Sequence, residues 1–245
     1  MAGFEHAGHL PNLRPGGLPR DPRELPRQRR GTTPQMHGRY PDYDVLEQAA
    51  HWDEATRRVV LARVHEVPPI RFLTADELPT ARAFCDTVLA QDREPRIPVV
   101  EMIDAKLHAR RFDGWRHAGM PDDAQTFRVA LAGLDHSAGG DGDRGAFAAR
   151  PEQDRLAICG AFSRGELAGG PWESVDVRLA WGVCMRLALA QFYSHPWAWN
   201  EIGFGGPAYP RGYARLGIGM SESWEGRPRY DVDPVRDVRR RGLDR

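Results

Sequence analysis

Lysine is nearly missing from this 245-residue chain: Lys106 stands alone, and arginine carries almost all of the remaining positive charge. Formal net charge is zero. No global field therefore draws the chain to nucleic acid or to an anionic membrane, and no nucleic-acid partner is expected. Arginine does suit planar, bidentate pairing with carboxylates. Cysteine is scarce as well. Cys85, Cys159 and Cys184 are far apart and form no CxxC pair, which predicts buried reduced thiols instead of a disulfide framework or a zinc site. No apolar run approaches the ~18 residues of a membrane span, so direct membrane insertion is not expected. Arg29-Arg30 is followed by Gly-Thr-Thr-Pro-Gln-Met and not by an apolar stretch. That predicts no signal peptide and a cytoplasmic chain, with any export borrowed from a partner.

Catalytic signatures are missing too. There is no GxSxG, no P-loop, and no GxGxxG between a strand and a helix. Gly203-Phe-Gly205-Gly206 resembles a phosphate loop only in composition, because it follows a long helical pattern. Asp104 and His108 stand four apart on one predicted helix, a spacing that serves a surface hydrogen-bonded pair as well as two metal ligands. A stand-alone metal- or cofactor-dependent enzyme would have to use Asp104, His108 and His195. His51-Trp-Asp-Glu54 lacks HExxH spacing. Arg236 to Arg241 is basic, but nearby aspartates make it a solvated tail.

What the chain does have is helix periodicity between two proline-rich arms. Residues 1–44 hold seven Pro and six Gly, a composition that forbids helix and supplies no core. This arm is either a disordered tail or an extended segment that orders on a partner. Apolar spacing then predicts a helix from Asp44 to His65, stopped by Val67-Pro-Pro69. Thr74 and Glu77 form a capping box for a second helix, with Leu78, Ala81, Cys85, Val88 and Leu89 inward. A third follows Pro98, with Val100, Ile103 and Leu107 inward, and ends near Gly114. Asp122-Asp123 cap a fourth, with Phe127, Ala130, Leu131 and Leu134 inward. After a flexible loop at 137–145, Pro151 opens a fifth at its first position, with Leu156, Cys159 and Phe162 inward. A sixth runs from about Ser174 to Tyr193. The expected fold is all-α: a compact bundle of about six helices over 45–195, between the 1–44 arm and a docking segment plus C-terminal arm over 196–245.

Ser194 to Tyr213 is the unusual stretch, with five aromatics, four Gly and three Pro in twenty residues. Proline and glycine exclude a long helix or central strand, so packing must fix its shape. Aromatics and arginine anchor interfaces. Trp197, Trp199, Ile202, Phe204, Pro207, Tyr209 and Tyr213 are therefore the candidate partner-binding residues. An intramolecular cap over the helices is the competing reading.

The sequence resembles the small subunit (subunit 3, or gamma) family of gluconate 2-dehydrogenase and related membrane-associated flavoprotein dehydrogenases. The resemblance runs from Phe72-Leu-Thr-Ala-Asp-Glu77-Leu78 through Ile103-Asp104-x-x-Leu107, Leu131-Ala-Gly-Leu134-Asp135, Phe147 and Gln153-Asp154. Its most specific part is Pro196, Trp199, Ile202, Gly203, Phe204, Gly206 and Pro207. Only Trp197-Ala198 stands between Pro196 and Trp199, where typical members carry a longer Tyr-Gly-Gly-Asn insertion. The resemblance implies a non-catalytic accessory subunit without a cofactor of its own. It implies, as partner, a large FAD-binding oxidoreductase subunit of the glucose–methanol–choline type acting on sugars, sugar acids or polyols. A cytochrome c subunit as electron acceptor and co-export with the flavoprotein also belong to that expectation. Flavin chemistry would lie in the partner.

Overall fold

The computed structural model describes residues 40, 43–91, 94–139, 145–215, 217 and 220–228. Among these there are seven α-helices, two 3-10 helices and no strand, so the all-α expectation holds with more helical segments than six. The expectations for the arms at 1–39 and 229–245, and for the loop residues 140–144, lie outside the described residues.

The predicted first helix is two segments. Asp44 starts a 3-10 helix, Val45–His51, by accepting the Leu46 N–H at 3.0 Å. Trp52 then turns extended, and Asp53 caps a separate helix α1, Glu54–His65, by accepting from Thr56 at 2.9 Å. Each aspartate satisfies its own set of orphan N–H groups, so one apolar stripe is cut in two.

The capping box forms, but over a turn at 75–77, and helix α2, Leu78–Val88, begins three residues later than the box predicts. Thr74 N–H donates to Glu77 Oε2 at 2.9 Å, and Glu77 N–H donates to Thr74 Oγ1 at 3.3 Å. Helix α3, Val99–His108, follows Pro98 and stops well before Gly114, with Arg110 left-handed just past its end. Asp122 caps α4, Asp123–Ser137. Pro151 precedes α5, Glu152–Arg164, as its cap and not as its first residue, and Leu156 faces outward, contrary to expectation. A 3-10 helix at Gly170–Ser174 and helix α6, Val177–Phe192, follow. Helix α7, Pro196–Ile202, lies inside the aromatic stretch.

Contacts divide the chain into two units. One comprises the described residues of Pro68–Asp92 and Pro98–Gln191. Its center is a ring cluster in which Phe162 meets Phe84, Trp172 and Trp181 at centroid distances of 6.3, 4.8 and 5.2 Å. Trp172 lies so close over α4 that a Cβ at Gly133 would sit 2.3 Å from its ring, and its indole N–H reaches Ser137 Oγ at 2.9 Å. All three cysteines are buried and unpaired in this unit. Burial pushes the Cys159 thiol up to about 12 and the other two upward as well, which leaves them protonated and unreactive. The other unit comprises the described residues of Met1–Val67, Arg93–Ile97 and Phe192–Arg245, and holds the first 3-10 helix, α1 and α7.

Candidate functional site

The second unit contains the whole aromatic stretch, and a short helix shapes it. Pro196 occupies the first turn of α7, where a missing N–H costs nothing. His195 is the N-cap: its Nδ1 accepts the Trp197 N–H at 3.2 Å. The imidazole is 1% exposed, and burial, with the charge of Arg63 second, pulls its pKa down to about 3. It is neutral at neutral pH and occupied as a cap. The Arg63 guanidinium donates to the Ser194 carbonyl at 2.7 Å, which ties α1 to the entry of α7.

Trp197 and Trp199 are each only 6% exposed. Trp199 donates its indole N–H to the Tyr193 carbonyl at 2.6 Å and meets Phe204 edge-on at 5.4 Å. Trp197 packs edge-on against the His195 ring at 4.8 Å. Both tryptophans are thus buried within their own unit. Asn200 Oδ1 accepts the Val45 N–H at 2.7 Å, linking α7 to the first 3-10 helix.

Gly203 ends α7 in the left-handed region, at φ +69°, and a Cβ there would meet the Tyr40 ring at 2.4 Å. Gly206, at φ +77°, would put a Cβ 2.7 Å from the Trp52 ring. Both positions need glycine for conformation and for space. These glycines are packing contacts, not a phosphate cradle.

Beyond this frame the side chains turn outward. Ile202 is 41%, Tyr209 66% and Tyr213 44% exposed, while Phe204 and Pro207 are half-buried. Trp224, which the sequence reading did not single out, supports Tyr213 at 6.3 Å and carries the Arg211 guanidinium 4.2 Å above its ring. Arg211 also donates to Gln48 Oε1 at 3.0 Å, and Tyr43 donates its hydroxyl to the Trp224 carbonyl at 3.0 Å. A lone Trp in a Pro/Gly-rich arm was the available signal.

Asp104 lies in the first unit, fully buried, and accepts three backbone N–H groups: Arg71 at 2.7 Å, Phe72 at 2.9 Å and Leu73 at 2.7 Å. Both oxygens hold the segment that leads to the capping box. His108 is exposed at the end of α3. Among the described residues no three His, Cys, Asp or Glu side chains converge as a metal site. Asp135 plays a part like that of Asp104, accepting from the Thr80 hydroxyl at 2.7 Å and from Gly145 and Phe147 N–H at 3.1 Å each. Asp104 and Asp135, both prominent in the family-like segments, are buried backbone organizers.

No helix of the described residues is long and apolar enough to cross a membrane. No curated protein and no solved structure matches the chain. The family model for gluconate 2-dehydrogenase subunit 3 does match, over residues 75–206, from the capping box to the glycine beside Trp52, and the protein belongs to that family.

Proposed function

We propose that the chain is a non-catalytic accessory subunit that binds, stabilises and helps mature a large FAD-dependent oxidoreductase subunit of the glucose–methanol–choline type. The family is that of a dehydrogenase subunit. One observation carries the reading further: an internally braced aromatic segment presents Ile202, Tyr209 and Tyr213 to solvent. Exposed tyrosines on a frame already held by Trp199, Gly203 and Gly206 lose little entropy on docking. Tyrosine supplies apolar area together with a polar tip, the combination that interface anchors use.

In this reading FAD and the redox chemistry belong to the partner, and a cytochrome c or another acceptor takes its electrons. Co-export with the flavoprotein fits an accessory subunit. Two observations weigh against the rival, an enzyme built on Asp104, His108 and His195. Asp104 is saturated by backbone N–H groups and His195 is a neutral cap. Co-expression with the flavoprotein subunit tests the proposal. Tyr209→Ala combined with Tyr213→Ala is expected to lower the flavoprotein recovered with the chain, while leaving the chain's own thermal midpoint unchanged. Full recovery would count against it.

A further inference from the structure

One cavity in the first unit has no part in the reading above. It holds about 480 Å³ and is lined by Arg71, Phe72, Leu107, His108, Arg110, Phe112, Asp122, Ala124, Gln125 and Arg128. That size suits a small organic molecule better than a lone ion.

Its walls are held by part-buried and exposed pairings. Asp104 pins the backbone of Arg71 and Phe72, as described above. Arg128 donates to Glu77 Oε1 at 2.8 Å and to the Phe72 carbonyl at 2.6 Å, and its guanidinium lies 4.3 Å from the Phe72 ring centroid. Glu77 thus neutralises Arg128. Asp122 is turned to the start of α4, where its Oδ1 accepts the Gln125 N–H at 2.8 Å. The side chains of Arg71, His108 and Arg110 have no carboxylate partner among the described residues. Among the lining residues the three arginines, Arg71, Arg110 and Arg128, outnumber the one carboxylate, Asp122, and Phe72, Leu107 and Phe112 form apolar walls.

Arg110 stands in the left-handed region at φ +52°, just beyond α3, where its N–H and that of Arg111 close the helix end on the Leu107 and Lys106 carbonyls, as Ala90 does after α2. That turn brings Arg110 to the cavity rim.

We propose that this cavity binds a small organic oxyanion, with Arg71 and Arg110 gripping a carboxylate or phosphate and the aromatic walls receiving its carbon skeleton. Calorimetric titration of the full chain with citrate and with glycerol phosphate, at ionic strength fixed with chloride, tests it. Saturable binding of one or both is expected, and the preferred anion assigns carboxylate or phosphate. Arg71→Gln and Arg110→Gly should each weaken that binding about tenfold, the effect of removing one charge-assisted contact. Arg110→Gly relaxes the left-handed position, so its thermal midpoint in chloride should equal or exceed that of the unmodified chain. No saturable binding of either anion, or binding unchanged in both variants, would overturn the proposal.

Discussion

His195 is a buried base whose proton affinity is lowered by burial and by Arg63, to a pKa of about 3. The unfolded chain, with an ordinary imidazole near ~6.5, binds the proton more readily across the interval between the two values. Stability from this group is complete above the unfolded value and falls as pH drops toward the folded one. Urea unfolding from pH 7 to pH 5 should show a loss of about 1–2 kcal/mol from this residue, following the usual ~1.4 kcal/mol per pKa unit. His195→Asn, which can still cap α7 through its side-chain oxygen, should flatten that slope. An equal slope in both proteins would remove the linkage from His195. Asp104 has a different role, organizing three backbone N–H groups at once. Asp104→Ala leaves those donors buried without an acceptor and should cost about 3 kcal/mol or more in urea unfolding, with Asp104→Asn costing less.

At the scale of elements, α7 and its two glycines decide the shape of the aromatic segment. Gly206→Ala must put a Cβ against Trp52 and strain a left-handed backbone. A loss of about 1–3 kcal/mol is expected by thermal or urea unfolding. Trp199→Ala empties a buried position and should cost about 3–5 kcal/mol, so any effect of that variant on a partner would pass through the chain's own stability. Legibility differed from element to element. The capping box at Thr74 and Glu77, the Asp122 cap and the inward faces of α3 and α4 were readable, because side-chain chemistry and apolar spacing pointed the same way. Helix α7 was not read, since seven residues with a histidine cap and two tryptophans give no stripe, although Pro196 and Gly203 bracket it. The 3-10 helix at Gly170–Ser174 is too short for any period. The break at Trp52 was hidden by an apolar pattern continuous across two separately capped segments. Within the candidate site, sequence composition located the segment but could not tell which aromatics point inward; Trp197 and Trp199 do, and Tyr209 and Tyr213 do not.

On the scale of the whole molecule, the chain is a helical member of the gluconate 2-dehydrogenase subunit 3 family in which several buried carboxylates hold backbone and arginine donors. Asp104, Asp135 and Glu77 each satisfy backbone or arginine donors, and the buried thiols are held protonated. Among the described residues, Tyr209 and Tyr213 face outward in one unit, and Arg71, Arg110 and Arg128 line a cavity in the other. Docking through Tyr209 and Tyr213 is the central claim. Its most direct test is the flavin absorbance of material captured through a tag on this chain after co-expression with the proposed FAD-binding subunit, normalised to captured chain. With Tyr209 and Tyr213 both replaced by alanine, and the chain's melting unchanged, captured flavin should fall severalfold, consistent with the loss of two interface anchors. Flavin recovery equal to that of the unmodified chain would contradict the account.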